Sequence, residues 1–354
     1  EADHSSPARS MGGIISLTLV SSQEPGYCIN RQYTDPEAAL ENLRDLGFPN
    51  QGGWTAAQDG QSIISQSQIT QGTVTVVSLD YGGWGSVTAQ IEPGTSPIGY
   101  AMARDKRRPA TGPDRRLSCN VPWDEDGDHI ADGQDRSLNQ NGYSGPDNVR
   151  DPEALRSTAI SNFRGDGFSD YEEYRGVVLG GNWRMLERDQ PEVFVQDRDG
   201  LGLAGFGGTG LTIRMVTNDD HNGGVVNWTS SAQTRIIQQR RLLLINAGAH
   251  PNAQLFGEAT GGPNIPANIG ECRVYVTNIE RWVNSLMLDA GTSAALRQFE
   301  INHMISHELA HGVNVPHHPN DGPWECYMRY VTNTSWQLPN AHSTYCTAAG
   351  FNEV

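Results

Sequence analysis

The sequence predicts a multi-domain protein built from three parts. These are a β-rich N-terminal domain (1–117), an Asp-rich connector (118–186) and an α+β domain (187–354). Three observations carry the division. At 354 residues the chain exceeds one average domain. Its 40 glycines and 19 prolines favour short strands joined by turns. The composition also changes twice along the chain, into and out of an acidic, Gly- and Asn-rich stretch.

In the first part, "GGIISLTLV" (12–20) and "GTVTVVSLDYGGWGSVTAQIEP" (72–93) hold β-branched runs broken by glycine turns. A β-sandwich of immunoglobulin-like type is the expectation. One helix interrupts it over "TDPEAALENLRDLGF", with Asp35 as N-cap, Pro36 in the first turn and Gly47 as stop. The segment "ARDKRRPATGPDRR" (103–116) reads as a basic linker.

In the third part, "EVFVQD" (192–197), "LTIRMV" (211–216) and "RVYVTNI" (273–279) read as strands. "SAQTRIIQQRRLLLINAG" (231–248) reads as a helix, and a second helix runs from about Ser293 to Val313. Strand and helix alternate, which is an α/β or α+β order.

Between them, "DEDGDHIADGQD" (124–135) sets Asp124, Asp126, Asp128, Asp132 and Asp135 at loop positions one, three, five, nine and twelve. Those are oxygen ligands at calcium spacing. His129 stands at position six, where glycine makes the turn easiest. A second stretch, "NFRGDGFSDYEE" (162–173), offers Asn162, Asp166, Asp170 and Glu173, with Gly167 at position six and Arg164 misplaced at position three. Both resemble the Asp-rich calcium repeats of secreted bacterial proteins. So many carboxylates repel one another unless a cation lies among them.

Net charge is −16, and Lys106 is the sole lysine. This argues against nucleic acid and for cations as partners. No run of eighteen apolar residues predicts a membrane span. The five cysteines form no C-x-x-C pair, which argues against a cysteine zinc site and fits an oxidising compartment with one or two disulfides. Cys326–Cys346 is the expected pair, with Cys272 as competitor. A secreted protein whose signal peptide has been removed is the matching localisation. Sequons stand at Asn227 and Asn333.

Five of the ten histidines fall in "INHMISHELAHGVNVPHHP" (301–319). On a helix His307 and His311 share one face, four residues apart. His303 lies on that face too, but roughly 12 Å from His311 along the axis, too far to share an ion with it. Glu308 selects the pair, since His307-Glu308-x-x-His311 spells HExxH, two zinc ligands with a general base beside them. A third ligand requires the helix to end. Asn314 tolerates the left-handed backbone that ends helices, and Pro316 forbids continuation. His317 then follows, six residues after His311.

The pattern HExxHxxNxxH resembles the metzincin zinc-protease signature, with Asn314 where that family has glycine. Met328 stands where the family's Met-turn methionine would be. Tyr330 is similar to the tyrosine that reaches the zinc in astacin- and serralysin-like members. The resemblance implies a metzincin-like α+β catalytic domain over 187–354 and Zn²⁺ held by His307, His311 and His317. It implies Glu308 as general base, Tyr330 as oxyanion donor, and protein or peptide substrates. "SCNVPWD" around Cys119 loosely resembles the cysteine switch of matrix metalloproteinases; a bond to Cys28, or a plain thiol, is the simpler reading. The expected function is a secreted zinc endopeptidase. The alternative from another class is an extracellular structural or adhesive protein that keeps the fold without proteolysis.

Overall fold

A computed structural model describes residues 12–32, 44–93, 118–135, 151, 165–188, 190–203, 206, 211–261 and 269–313. Among these the chain is mostly β-sheet, with fourteen strands and three α-helices. It divides into two compact units, Glu1–Asn148 and Val149–Val354. The acidic segment is therefore shared. Its first loop belongs to the first unit and residues 165–186 to the second.

The first unit is an antiparallel sheet. Its strands are β1 (Ile15–Ser21), β2 (Leu46–Gly47), β3 (Trp54–Ala56), β4 (Ser62–Ser65), β5 (Val77–Ser78), β6 (Gly85–Ile91) and β7 (Ser118–Val121). Five of them order as β3-β4-β1-β6-β7, and β2 pairs with β5 in a separate ribbon. The alternation anticipated for 12–20 sets one face. Leu17 and Leu19 are buried with Ile63, Val87, Ala89 and Cys119, whereas Val20 points out. Gly47, expected as a helix stop, lies in β2. The preceding residues 33–43 fall outside the described ones.

The second unit begins with α1 (Asp170–Arg175) and the hairpin β8 (Val177–Leu179) and β9 (Asn182–Arg184). A five-stranded sheet follows: β10 (Glu192–Asp197), β11 (Thr212–Met215), β12 (Leu242–Asn246), β13 (Gly257–Gly261) and β14 (Ile269–Val274). The order is β11-β10-β12-β14-β13. All pairings are parallel except β13, which runs antiparallel at one edge. Helices α2 (Val276–Ser285) and α3 (Ala290–Gly312) complete the unit.

Alternate residues of β10 face opposite ways. Val193 and Val195 join Leu242, Leu244, Cys272, Val274, Leu296, Ile305 and Leu309 in one core under α3. Each such side chain contributes about 1.5–3 kcal/mol on burial. Phe194, on the other face, meets Phe168 edge-on at 5.5 Å. Helix α3 starts at Asp289, whose carboxylate accepts the Thr292 amide at 3.0 Å. Near its end Gly312 lies against Leu242, where a Cβ would stand 2.7 Å from Cδ1.

Two expected elements differ. Residues 231–248 do not form a helix. The stretch to Gln239 is turn and loop, and only Leu242–Asn246 is regular, as the buried strand β12. Side chains from elsewhere capture the backbone groups a helix would use. Asn227 Nδ2 donates to the Ile237 carbonyl at 2.8 Å, the Gln239 amide donates to Asn227 Oδ1 at 2.8 Å, and Ser169 Oγ donates to the Thr234 carbonyl at 2.6 Å. Residues 273–279 were expected as a strand, but β14 ends at Val274 and α2 begins at Val276. Ile279 and Val283, four apart, bury one face of that helix in the core.

Candidate functional site

Three groups of metal-ligating side chains occur among the described residues. The first sits on α3. His307 and His311 converge, with their Nε2 atoms 3.2 Å apart. Two imidazole nitrogens on one tetrahedral zinc would stand about 3.3–3.4 Å apart, from zinc–nitrogen bonds of about 2.0–2.1 Å. The pair thus fits a shared ion. Helical spacing alone puts them there, because residues four apart stack on one face. His303 is fully buried one turn earlier, 3.8 Å from a Glu300 oxygen and edge-on to the His307 ring. It packs beside the pair rather than joining it.

Glu308 is buried between α3 and the sheet edge. Its carboxylate abuts Gly257 on β13 so closely that a Cβ at Gly257 would collide with it. Its backbone carbonyl accepts the Cys272 thiol at 3.2 Å. Burial first, and the charge of Glu258 second, push the Glu308 carboxyl up to about 8. A cation at the neighbouring histidines acts in the opposite direction. Glu258 accepts the Tyr275 hydroxyl at 2.9 Å and lies across from Arg273 in the β13–β14 register. Asn314, His317, Met328 and Tyr330 lie outside the described residues.

The second group is the loop after β7. One oxygen each of Asp124, Asp126 and Asp128 lies within 4.8 Å of the others. Asp124 braces the turn by accepting the amides of Gly127 at 2.7 Å and His129 at 2.9 Å. His129 adopts the left-handed backbone, φ 75°, that position six requires. Its ring stacks on Trp84, which offers a reason for histidine where glycine was expected. Asp132 and Asp135 lie outside the cluster. Asp132 Oδ1 accepts the Glu125 amide at 2.8 Å. Burial and the charges of Asp135 and Asp124 push Asp126 up to about 6.

The third group corrects the sequence expectation for 162–173. Asn162 lies outside the described residues. Asp166 and Glu173 do meet, but Asp170 does not join them, because the Arg188 guanidinium holds both of its oxygens. Glu192, which opens β10, takes the vacated place. All three carboxylates are buried. No calcium-loop spacing could have found Glu192, which lies nineteen residues beyond Glu173 and reads simply as a strand residue.

Other expectations resolve in packing. Cys28, Cys119 and Cys272 are buried thiols, so no disulfide joins them; Cys326 and Cys346 lie outside the described residues. Cys119 is buried in the core of the first sheet. Asn227, a sequon residue, is fully buried. No described helix is long and apolar enough to cross a membrane. Acidic clusters able to hold a metal ion are thus present in each unit. Comparison with protein-family models, with curated proteins and with solved structures gave no match.

Proposed function

We propose that the chain is a secreted zinc endopeptidase of metzincin type, with calcium held in the loop 124–135. The observation that carries the reading is the grouping of His307, His311 and Glu308 beneath a sheet edge. Two ring nitrogens stand at zinc spacing, a buried carboxylate stands beside them, and strand β13 runs past that carboxylate.

His307, His311 and, from the sequence pattern, His317 would hold the metal. Zinc, when bound, polarises a carbonyl oxygen and acidifies water. Glu308 takes a proton from the attacking water and returns it to the leaving amine. Its burial keeps bulk water from competing for that proton. Among the described residues strand β13 is a sheet edge, the kind of strand on which an extended chain pairs. A peptide paired there would run beside Glu308, because Gly257 touches it. Tyr330 is assigned to oxyanion stabilisation from the sequence pattern alone. In the first unit, the immunoglobulin-like reading rests on the strand pattern, and a binding role beside catalysis suits it. The all-oxygen donor set of Asp124, Asp126 and Asp128 favours calcium over zinc.

The test is cleavage of a quenched peptide by the full chain, with and without a zinc chelator, alongside Glu308→Gln. Chelator-sensitive turnover is expected, with zinc retained and turnover reduced about 10²–10⁴-fold in Glu308→Gln. Zinc binding without any chelator-sensitive cleavage would favour the structural or adhesive alternative.

A further inference from the structure

We propose that Asp166, Glu173 and Glu192 form a buried calcium site that ties the acidic segment to the sheet of the second unit. The site is not a contiguous loop. Asp166 comes from a glycine turn, Glu173 from α1, and Glu192 from the first position of β10. One oxygen of each lies within 4.8 Å of the other two. Carboxylates so close repel strongly when buried and charged.

Glu192 supplies the second, independent observation. Its side chain has no exposed surface. Arg214 reaches Oε1 only, and Oε2 is buried with no hydrogen-bond partner. A buried carboxylate oxygen without a donor is uncommon, and a coordinated cation is one of the few things that satisfies it. The donor set is entirely carboxylate oxygen, which suits a hard dication that tolerates irregular coordination, and so calcium over zinc or magnesium.

The surroundings hold the ligands in place. Asp166 Oδ1 accepts the Phe168 amide at 3.0 Å and Oδ2 the Glu192 amide at 2.8 Å, which fixes the carboxylate. Gly165 and Gly167 take φ of 79° and 86°, so the turn can bring Asp166 to the start of β10. An ion bridging these groups would join α1 to β10. It would act on the sheet face that Phe194 and Phe168 share, opposite the core under α3. The inference does not depend on zinc or on proteolysis.

The test counts calcium bound by the full chain after chelator stripping, using calorimetry, and follows amide hydrogen exchange at Phe168 and Glu192. Wild type is expected to bind one more calcium per chain than Glu192→Gln. Asp126→Asn should lose a different ion, so the two losses add in the double variant. Calcium should slow exchange at both amides in wild type and in Asp126→Asn, but not in Glu192→Gln. Should Glu192→Gln fail to fold because Arg214 loses its partner, Glu173→Gln leaves that pair intact and carries the measurement. Unchanged stoichiometry in the Glu192 and Glu173 variants, or no calcium-dependent protection at these amides, would overturn the site. Binding of magnesium but not calcium would overturn the choice of ion.

Discussion

Gly257 and Glu308 are in contact across the junction of β13 and α3, with no room between them for a single methyl group. The glycine is not needed for an unusual backbone, since its φ is not positive. What it provides is space for the carboxylate.

Gly257→Ala should therefore displace Glu308 and lower the proposed peptide cleavage by about 10²-fold, the scale of a lost or misplaced general base, with the fold retained. Gly270→Ala is the control, because a Cβ there meets nothing within 4 Å. Circular dichroism and peptide cleavage measured together decide it. Equal activity in the two variants would refute the spatial role of Gly257.

Cys272 should resist alkylation in the native protein. It is fully buried, its thiol is bonded to the Glu308 carbonyl, and burial with the charges of Glu308 and Glu271 pushes its pKa far up. The thiolate, which is the reactive form, is accordingly suppressed. Labelling followed by peptide mass spectrometry should find Cys272 modified only as denaturant unfolds the second unit. Rapid labelling under native conditions would contradict the packing.

Asn227→Ala should destabilise the second unit by about 2–3 kcal/mol, the scale for stranding buried hydrogen-bonding groups. Asn227 Nδ2 donates to Glu172 Oε1 at 2.6 Å and to the Ile237 carbonyl. Its loss leaves Glu172, which burial already pushes up to about 7, with one donor fewer. Denaturant melts measure the effect. For the same reason Asn227 should carry no glycan in a glycosylating host, despite its sequon.

His221 should make stability fall as pH drops. Burial first, then the charge of Arg241, lower its pKa below the usual histidine value. The unfolded chain then binds a proton more readily than the folded one. Stability from this group is present above about pH 6.5 and is lost as pH falls through the depressed folded value. The Gly224 amide donates to His221 Nδ1 at 3.3 Å, which leaves Nε2 as the protonated nitrogen of a neutral ring, donating to Gln196 Oε1 at 3.1 Å. His221→Gln should flatten the dependence of the melting temperature on pH between about 7.5 and 5.5 relative to wild type. An unchanged slope would exclude His221 as its source.

The sequence by itself determined whatever depends on neighbours along the chain. Spacing of four on a helix brings His307 to His311. Alternate apolar residues orient β1, and the continuous run of 192–197 makes β10 a buried strand. Alternate positions 124, 126 and 128 gather three aspartates because a tight turn is local. Tertiary structure decided the contacts between distant segments. Gly257 meets Glu308 only because β13 returns antiparallel to the sheet edge beside α3. Glu192 meets Asp166 and Glu173 only because the turn before α1 reaches the start of β10, on the face that Phe168 and Phe194 share. Residues 231–239 have a helical pattern, yet Asn227 and Ser169 hold their backbone in another shape. Local spacing fixes which groups can point together, whereas sheet order and packing fix which distant groups are brought to them.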